Sequence, residues 1–293
     1  MLQLQPDHNV LIRMRLFLIF LIFVAHTGHG QTVCTPESRD RLDEYLLKLS
    51  EMDPSQKPIN QVTVEIGQWF LNTPYVEKTL ELPGEEKLVI NLTGLDCTTY
   101  LETVVTLSRL AKLGQFSFTD YEQELSLLRY EEGSSMDYPS RLHYFSDWIY
   151  QNQEKGILED ITKEIGGKVY ANDPSFMTAN PRFYAQLANP EYVKKLKQSE
   201  AAISKRAYHY IPKEEIAKHE QKIQSGDLIA ITTPMQNLDI VHVGFAVKKN
   251  GRIHLMHAST GSMKVEISEK PLSDYLMGNK SQSGIMVARL TSP

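Results

Sequence analysis

The sequence predicts an α+β protein, and three observations carry that prediction. Helical periodicity dominates the chain up to about residue 225, short Val- and Ile-rich runs separated by turn residues fill the chain from Gly226 on, and Asn250-Gly251 stands between two of those runs. Helices first and strands last is an α+β order, and Asn-Gly between alternating runs is the strongest short signal for a hairpin. With 293 residues, 41% of them hydrophobic and 23% charged, the chain can build a sizeable core without disulfide or metal staples. A formal charge of −5 gives nucleic-acid binding no electrostatic support.

The N-terminus reads as an export signal. Arg13 and Arg15 precede an apolar run from Leu16 to Ala25, and small residues including Gly28 and Gly30 follow. A run this short is too short to span a bilayer and suits the apolar region of a signal peptide covering residues 1–30. A membrane anchor is the rival reading. Thr32 and Val33 before Cys34 do not offer the small residue that a lipoprotein cleavage site wants. The expected localisation is therefore export, to a periplasm or beyond. In such a compartment Cys34 and Cys97, the two cysteines, could form one disulfide. Cys34 would lie on a frayed segment near the new N-terminus, so a working thiol at Cys97 is the sharper alternative.

Residues 31–60 read as an N-terminal helical segment, in which Leu42, Tyr45, Leu46 and Leu49 share a face and Asp53-Pro54 stops the helix. A second helix is expected over Val62–Leu71, ended by Thr73-Pro74, and a short strand over Leu88–Leu92. The next helix opens at Cys97 with Asp96 as N-cap and ends at Gly114; Cys97, Leu101, Val104, Val105 and Ser108 form its stripe. Helical pieces continue through 117–165 and around Glu191–Ser204, and then the strands begin.

A cysteine at a helix start meets unpaired N–H groups and the positive end of the dipole, which favour thiolate, while Asp96 opposes it. A histidine is then needed as partner. With Asn250-Gly251 as the turn, Lys249 pairs with Arg252, His242 faces Ser259 and His257 faces Gly244. His242 and His257 therefore share a face as diagonal neighbours, roughly 7–8 Å apart at Cα. One can serve as base and the other can orient it, which with Cys97 is the logic of nucleophile, base and orienter. His254 points to the opposite side, so the His254/His257 pair cannot share a zinc ion on a strand. Taken singly, Cys97 also fits a small core residue, and each histidine fits an ordinary sheet position.

These residues resemble the NlpC-type, papain-like cysteine hydrolases that cut bacterial cell-wall peptides. The resemblance rests on Pro74-Tyr75, Asp96-Cys97, Gly226-Asp227-Leu228, His242-Val243-Gly244 and His257-Ala258-Ser259, in that order. "IGQWFLNTPYVEKTLE", "LDCTTYLETV" and "SRLHYFSDWI" are similar to the N-acetylmuramoyl-L-alanine amidase-like branch. Asn72 departs from it by standing where a glycine is expected.

The resemblance implies a papain-like core over residues 61–293, with the N-terminal helical addition and a helical insertion at about 111–225. It implies hydrolysis of the amide joining the muramyl lactyl group to L-alanine in soluble muropeptides, with 1,6-anhydro forms as candidates. Peptidoglycan fragments are then the expected partners, for a monomer without cofactor, bound metal or lasting membrane insertion. A γ-D-glutamyl–diamino acid endopeptidase and a non-catalytic cell-wall binding module remain as alternatives. Cys97 would be the nucleophile, His242 the base, His257 the orienter and Tyr75 an oxyanion donor. Asp96, His143, Tyr144, Ser146, Asp147 and Trp148 are candidates for substrate contact, although Tyr144, Phe145, Trp148 and Ile149 also fit the buried stripe of a helix. Arg129 and Arg141 are candidates to meet a substrate carboxylate.

Overall fold

Where the sequence shifts to short Val- and Ile-rich runs, the computed structural model has an antiparallel sheet. It describes residues 32–54, 56–131, 136–171 and 173–293, and the export signal expected over residues 1–30 lies outside the described residues. The central strands are β6 (Leu228–Thr232), β7 (Ile240–Lys249), β8 (Arg252–Ser259), β9 (Lys264–Ile267) and β10 (Gly284–Leu290), numbered after five earlier strands. Asn250 and Gly251 both have positive φ, 52° and 80°, as the favoured hairpin turn requires. That fixes the expected register, from Lys249 opposite Arg252 to Phe245 opposite Met256.

The sheet is wider than the C-terminal strands alone suggest. Its order is β4-β5-β10-β6-β7-β8-β9, where β4 is Lys168–Tyr170 and β5 is Tyr208–Pro212; β3, Leu158–Asp160, also pairs with β10. The last strand thus inserts between β5 and β6, a long-range pairing that no local pattern encodes.

At the N-terminus, β1 (Thr32–Cys34) runs parallel to β2 (Leu88–Ile90), with Cys34 opposite Ile90. This corrects the expectation of a frayed segment: Cys34 is held by a strand ladder. Neither cysteine is bridged; both are free thiols.

Helix α1 (Pro36–Glu51) is capped by Thr35, whose hydroxyl accepts from Ser38 N at 3.2 Å, and it buries Leu42, Leu46 and Leu49. Helix α2 (Ile59–Trp69) follows, and α3 runs from Cys97 to Leu113, closed by Gly114 at φ 66°. Helices α4 (Phe118–Arg129), α5 (Phe145–Glu154), α6 (Phe176–Ala179), α7 (Pro190–Ile203) and α8 (Ile216–His219) lie between α3 and β6, and α9 (Leu272–Met277) precedes β10. Among the described residues no helix is long and apolar enough to cross a membrane.

Helix α3 is the axis of the core. Every residue from Thr99 to Ala111 is buried, not just the predicted stripe. Its apolar side chains join Val243, Phe245, Val247, Met256 and Ala258 in one cluster, at about 1.5–3 kcal/mol for each large side chain fully buried. The two buried charges on α3 are met from α4: Arg129 Nε donates to Glu102 at 2.8 Å, and Arg109 pairs with Glu124. A second cluster, with Ile229, Ile231, Ala246, Ile253 and Leu255, is capped by Leu272 and Leu276 of α9.

Candidate active site

Cys97 is the first residue of α3, and the turn that delivers it is tightly specified. Asp96 Oδ1 accepts from Thr99 N at 2.8 Å while Thr99 Oγ1 accepts from Asp96 N at 2.9 Å, a complete capping box. Just upstream, Asn91 Oδ1 accepts from the backbone N–H groups of Thr93 and Gly94. Gly94 has no room for a side chain, because a Cβ there would lie 2.4 Å from Val76 Cγ2. That close approach lets Leu95 bond the 74–76 segment, Leu95 N to Pro74 O at 3.0 Å and Val76 N to Leu95 O at 3.2 Å. Tyr75 is thereby strapped beside the helix start. Asn72, the departure from the expected glycine, sits at φ 70°. The left-handed geometry is kept, since asparagine tolerates it better than other non-glycine residues.

The histidines come from β7 and β8. Ile231 pairs with His242 but Thr232 pairs with Ile240, so Val241 is an extra, bulged residue beside His242. Bulges of this kind re-aim neighbouring side chains. His242 Nε2 and His257 Nδ1 are 2.6 Å apart with ring planes at 90°. Gly244 makes room for this, because a Cβ there would lie 2.9 Å from His257 Cβ and 2.7 Å from Met256 O. The contact uses Nε2 of His242 and leaves Nδ1 as its other ring nitrogen.

Cys97 and His242 line one cavity of about 200 Å³, together with Thr98, His143, Tyr144 and Val243. Through Thr98, Leu142, His143 and Tyr184 it adjoins a larger cavity of about 520 Å³ that reaches Lys78, Glu81, Asp96 and Arg141. The combined space suits an elongated polar ligand crossing the thiol.

Electrostatics correct one expectation. Burial, then repulsion from Asp96, pushes the Cys97 thiol up to about 11, against hydrogen bonds from the Val243 backbone and from Thr98 that pull it down. Burial pushes His242 down to about 4, and burial with the neighbouring His242 charge takes His257 to about 3. The helix terminus alone therefore does not make a thiolate: at neutral pH Cys97 rests as a thiol and His242 as a neutral imidazole. Tyr75 is pushed up to about 12 by burial and by Cys97 and Asp96, so its hydroxyl stays protonated and able to donate.

A family model described as AmiA-like, N-acetylmuramoyl-L-alanine amidase-like, matches residues 65–285. The chain belongs to this amidase-like family. A crystal structure of an N-acetylmuramoyl-L-alanine amidase from Bacteroides uniformis is 38% identical, with a TM-score of 0.76 over 80% of this chain and 99% of that one. A Bacteroides fragilis protein provisionally named a xylanase is 36% identical, with a TM-score of 0.73 over 78% of this chain and 100% of that one. A Legionella pneumophila protein at 22% identity and a TM-score of 0.66, covering 88% of this chain and 96% of its own, shares the fold. No curated protein sequence matches. Family and neighbours give the chain an amidase-like, peptidoglycan-related hydrolase role.

In this amidase-like chain the sequence-predicted substrate residues divide. Asp96, His143 and Tyr144 line the cavities. His143 Nε2 is 2.7 Å from Tyr138 O, and the Tyr144 hydroxyl donates to Glu200 at 2.8 Å while accepting from Met177 N at 2.9 Å. The structure does not bring Ser146, Asp147 or Trp148 to either cavity. Trp148 is fully buried with its indole N–H 3.3 Å from Glu102, so it is the core stripe of α5. Ser146 is also fully buried, and its N–H donates to Asp239 Oδ2 at 2.8 Å; Asp147 pairs with Arg206. Apolar spacing at 144, 145, 148 and 149 already carried that signal.

Arg129 and Arg141 reach the larger cavity with their charges already matched, Arg129 by Glu102 and Arg141 by Glu81 and by Glu86 at 3.4 Å. His254 Nδ1 lies 2.8 Å from Ser268 O, away from the His242–His257 contact. Among the described residues no three His, Cys, Asp or Glu side chains converge as a metal-ligand set. Sequence reading missed Thr98 and Val243 as donors to the thiol; adjacency to Cys97 was the only available signal for Thr98.

Proposed function

We propose that the chain is a cysteine-dependent N-acetylmuramoyl-L-alanine amidase with a papain-like core of the NlpC type. It hydrolyses the amide between the muramyl lactyl group and L-alanine in soluble muropeptides, including 1,6-anhydro forms. The observation that carries this reading is that His242, held 2.6 Å from His257, lines the same cavity as Cys97.

In this reading His242 accepts the thiol proton as Sγ attacks the lactyl carbonyl carbon, so that thiolate forms only in the attack itself. The neutral imidazole at rest fits this role, because it is unprotonated and ready to accept. The oxyanion is held by the Cys97 N–H at the helix start and by the Tyr75 hydroxyl. His242 then gives its proton to the departing amine of L-alanine, leaving a thioester. Water, deprotonated by His242, hydrolyses the thioester and releases the lactyl carboxylate. No cofactor is required. The proposed setting is outside the cytoplasm, in turnover or recycling of peptidoglycan. The xylanase name of one relative implies glycoside cleavage, which uses two carboxylates in separate roles. Here Asp96 caps a helix while Glu81 and Glu102 are paired with arginines.

The test is digestion of a 1,6-anhydro-muramyl tripeptide followed by mass spectrometry, using the chain from residue 31 and its Cys97→Ala and His242→Ala variants. The expected products are the intact stem peptide with a free L-alanine amine and the anhydro sugar acid. Turnover should be lost in both folded variants. Release of a dipeptide from within the stem, or full activity of Cys97→Ala, overturns the proposal.

A further inference from the structure

The proton inventory of the histidine pair leaves one group unmatched. If His242 takes a proton on Nδ1, its Nε2 carries hydrogen and donates to His257 Nδ1. His257 must then hold its own proton on Nε2, as a donor. That nitrogen is buried and has no hydrogen-bond partner. Buried donors are almost always matched, and an unmatched one at a working site calls for a physical explanation. Gln282, 5% exposed, carries a second unmatched buried atom, its carbonyl oxygen Oε1. Tyr275 of α9 neighbours both residues. Its ring meets the His257 ring edge-on with centroids 5.6 Å apart, and its hydroxyl is hydrogen-bonded by the Gln282 side chain. One orphan donor and one orphan acceptor therefore flank the same tyrosine.

We propose that Gln282, together with Tyr275, is a positioning residue for the histidine pair: the two orphan atoms are not bonded to each other in this structure, and a rotation of the Gln282 amide beside Tyr275 lets Oε1 receive the His257 Nε2–H and so lock the tautomers of both rings. The role assigned to those rings rests on the cysteine amidase reading above. Gln282 touches neither substrate nor thiol; it acts through His257, which orients His242. Without the acceptor, His257 can carry its proton on Nδ1, where it opposes the Nε2–H of His242 and turns that ring to the wrong tautomer.

Three variants and two readouts test this. Gln282→Leu removes the acceptor at similar size, Gln282→Glu keeps an acceptor oxygen and adds charge, and Tyr275→Phe removes the hydroxyl alone. Nitrogen-15 NMR of the imidazoles reads the tautomers directly, with no need for turnover. Wild type and Gln282→Glu should show His257 protonated at Nε2, whereas Gln282→Leu should show a mixture. In kinetics on the anhydro-muramyl tripeptide, Gln282→Leu should lose about tenfold or more in kcat with KM nearly unchanged. Gln282→Glu should retain most of kcat and move the acid limb of the pH profile to higher pH, because a carboxylate favours the imidazolium. Tyr275→Phe should fall between the two. An unchanged His257 tautomer in Gln282→Leu overturns the proposal, as does a parallel loss of kcat in the leucine and glutamate variants. Should Cys97→Ala retain turnover, the amidase reading fails while the tautomer result still judges this one.

Discussion

Glu102 on α3 and Arg129 at the end of α4 meet at 2.8 Å, with neither side chain more than 3% exposed. Trp148 Nε1 closes on the other carboxylate oxygen, and Arg129 also donates to Val89 O at 2.8 Å. The pair therefore ties α3, α4, α5 and β2 together at the wall of the larger cavity.

Breaking that pair from one side leaves a buried charge unmatched. Arg129→Met or Glu102→Leu alone should cost about 3–5 kcal/mol, and the double variant much less than the sum. Urea unfolding of the four chains gives the coupling. Additive effects would show that the pair is not the unit holding the helices.

The thiol sets the second expectation. With Cys97 held up to about 11, iodoacetamide labelling of its peptide should keep rising as pH increases past 9, without a plateau between pH 6 and 8. Asp96→Asn keeps an acceptor for the cap and removes the repelling charge, so its labelling curve should move to lower pH. Peptide-level mass spectrometry separates Cys97 from Cys34. A neutral-pH plateau would reveal a resting ion pair and refute this account of the site.

Acid stability follows from the buried imidazoles. His242 and His257 titrate at about 4 and about 3 in the fold, against about 6.5 when unfolded, so the unfolded chain binds protons more tightly. Their contribution is complete above about pH 6.5 and is lost as pH falls toward the folded values, at about 1.4 kcal/mol per pH unit for each group. Thermal melts between pH 7.5 and 5 should show the decline, and His257→Gln should flatten it. A Tm independent of pH over this range, in both proteins, contradicts neutral burial.

At the turn before Tyr75, Asn72 should accept glycine but not a branched residue. Asn72→Gly is expected within about 0.5 kcal/mol of wild type, and Asn72→Val to lose about 1–2 kcal/mol, since φ is 70°. Denaturation midpoints measure both. Equal stability of the two variants would mean that the turn relaxes freely.

Local chemistry was legible from the residues themselves. Asp96 caps α3 through a contact three residues along, Gly114 ends it, and Asn250-Gly251 sets a register that brings His242 and His257 to one face. Each of these rests on backbone geometry within a few residues or across one tight turn, and so the sequence by itself determined them. The tertiary structure alone decided the rest. Insertion of β10 between β5 and β6, the strand ladder that holds Cys34 and the high pKa of Cys97 depend on segments far apart in the chain. Desolvation and long-range pairing are properties of what surrounds a residue, and a one-dimensional pattern names the residue without its surroundings.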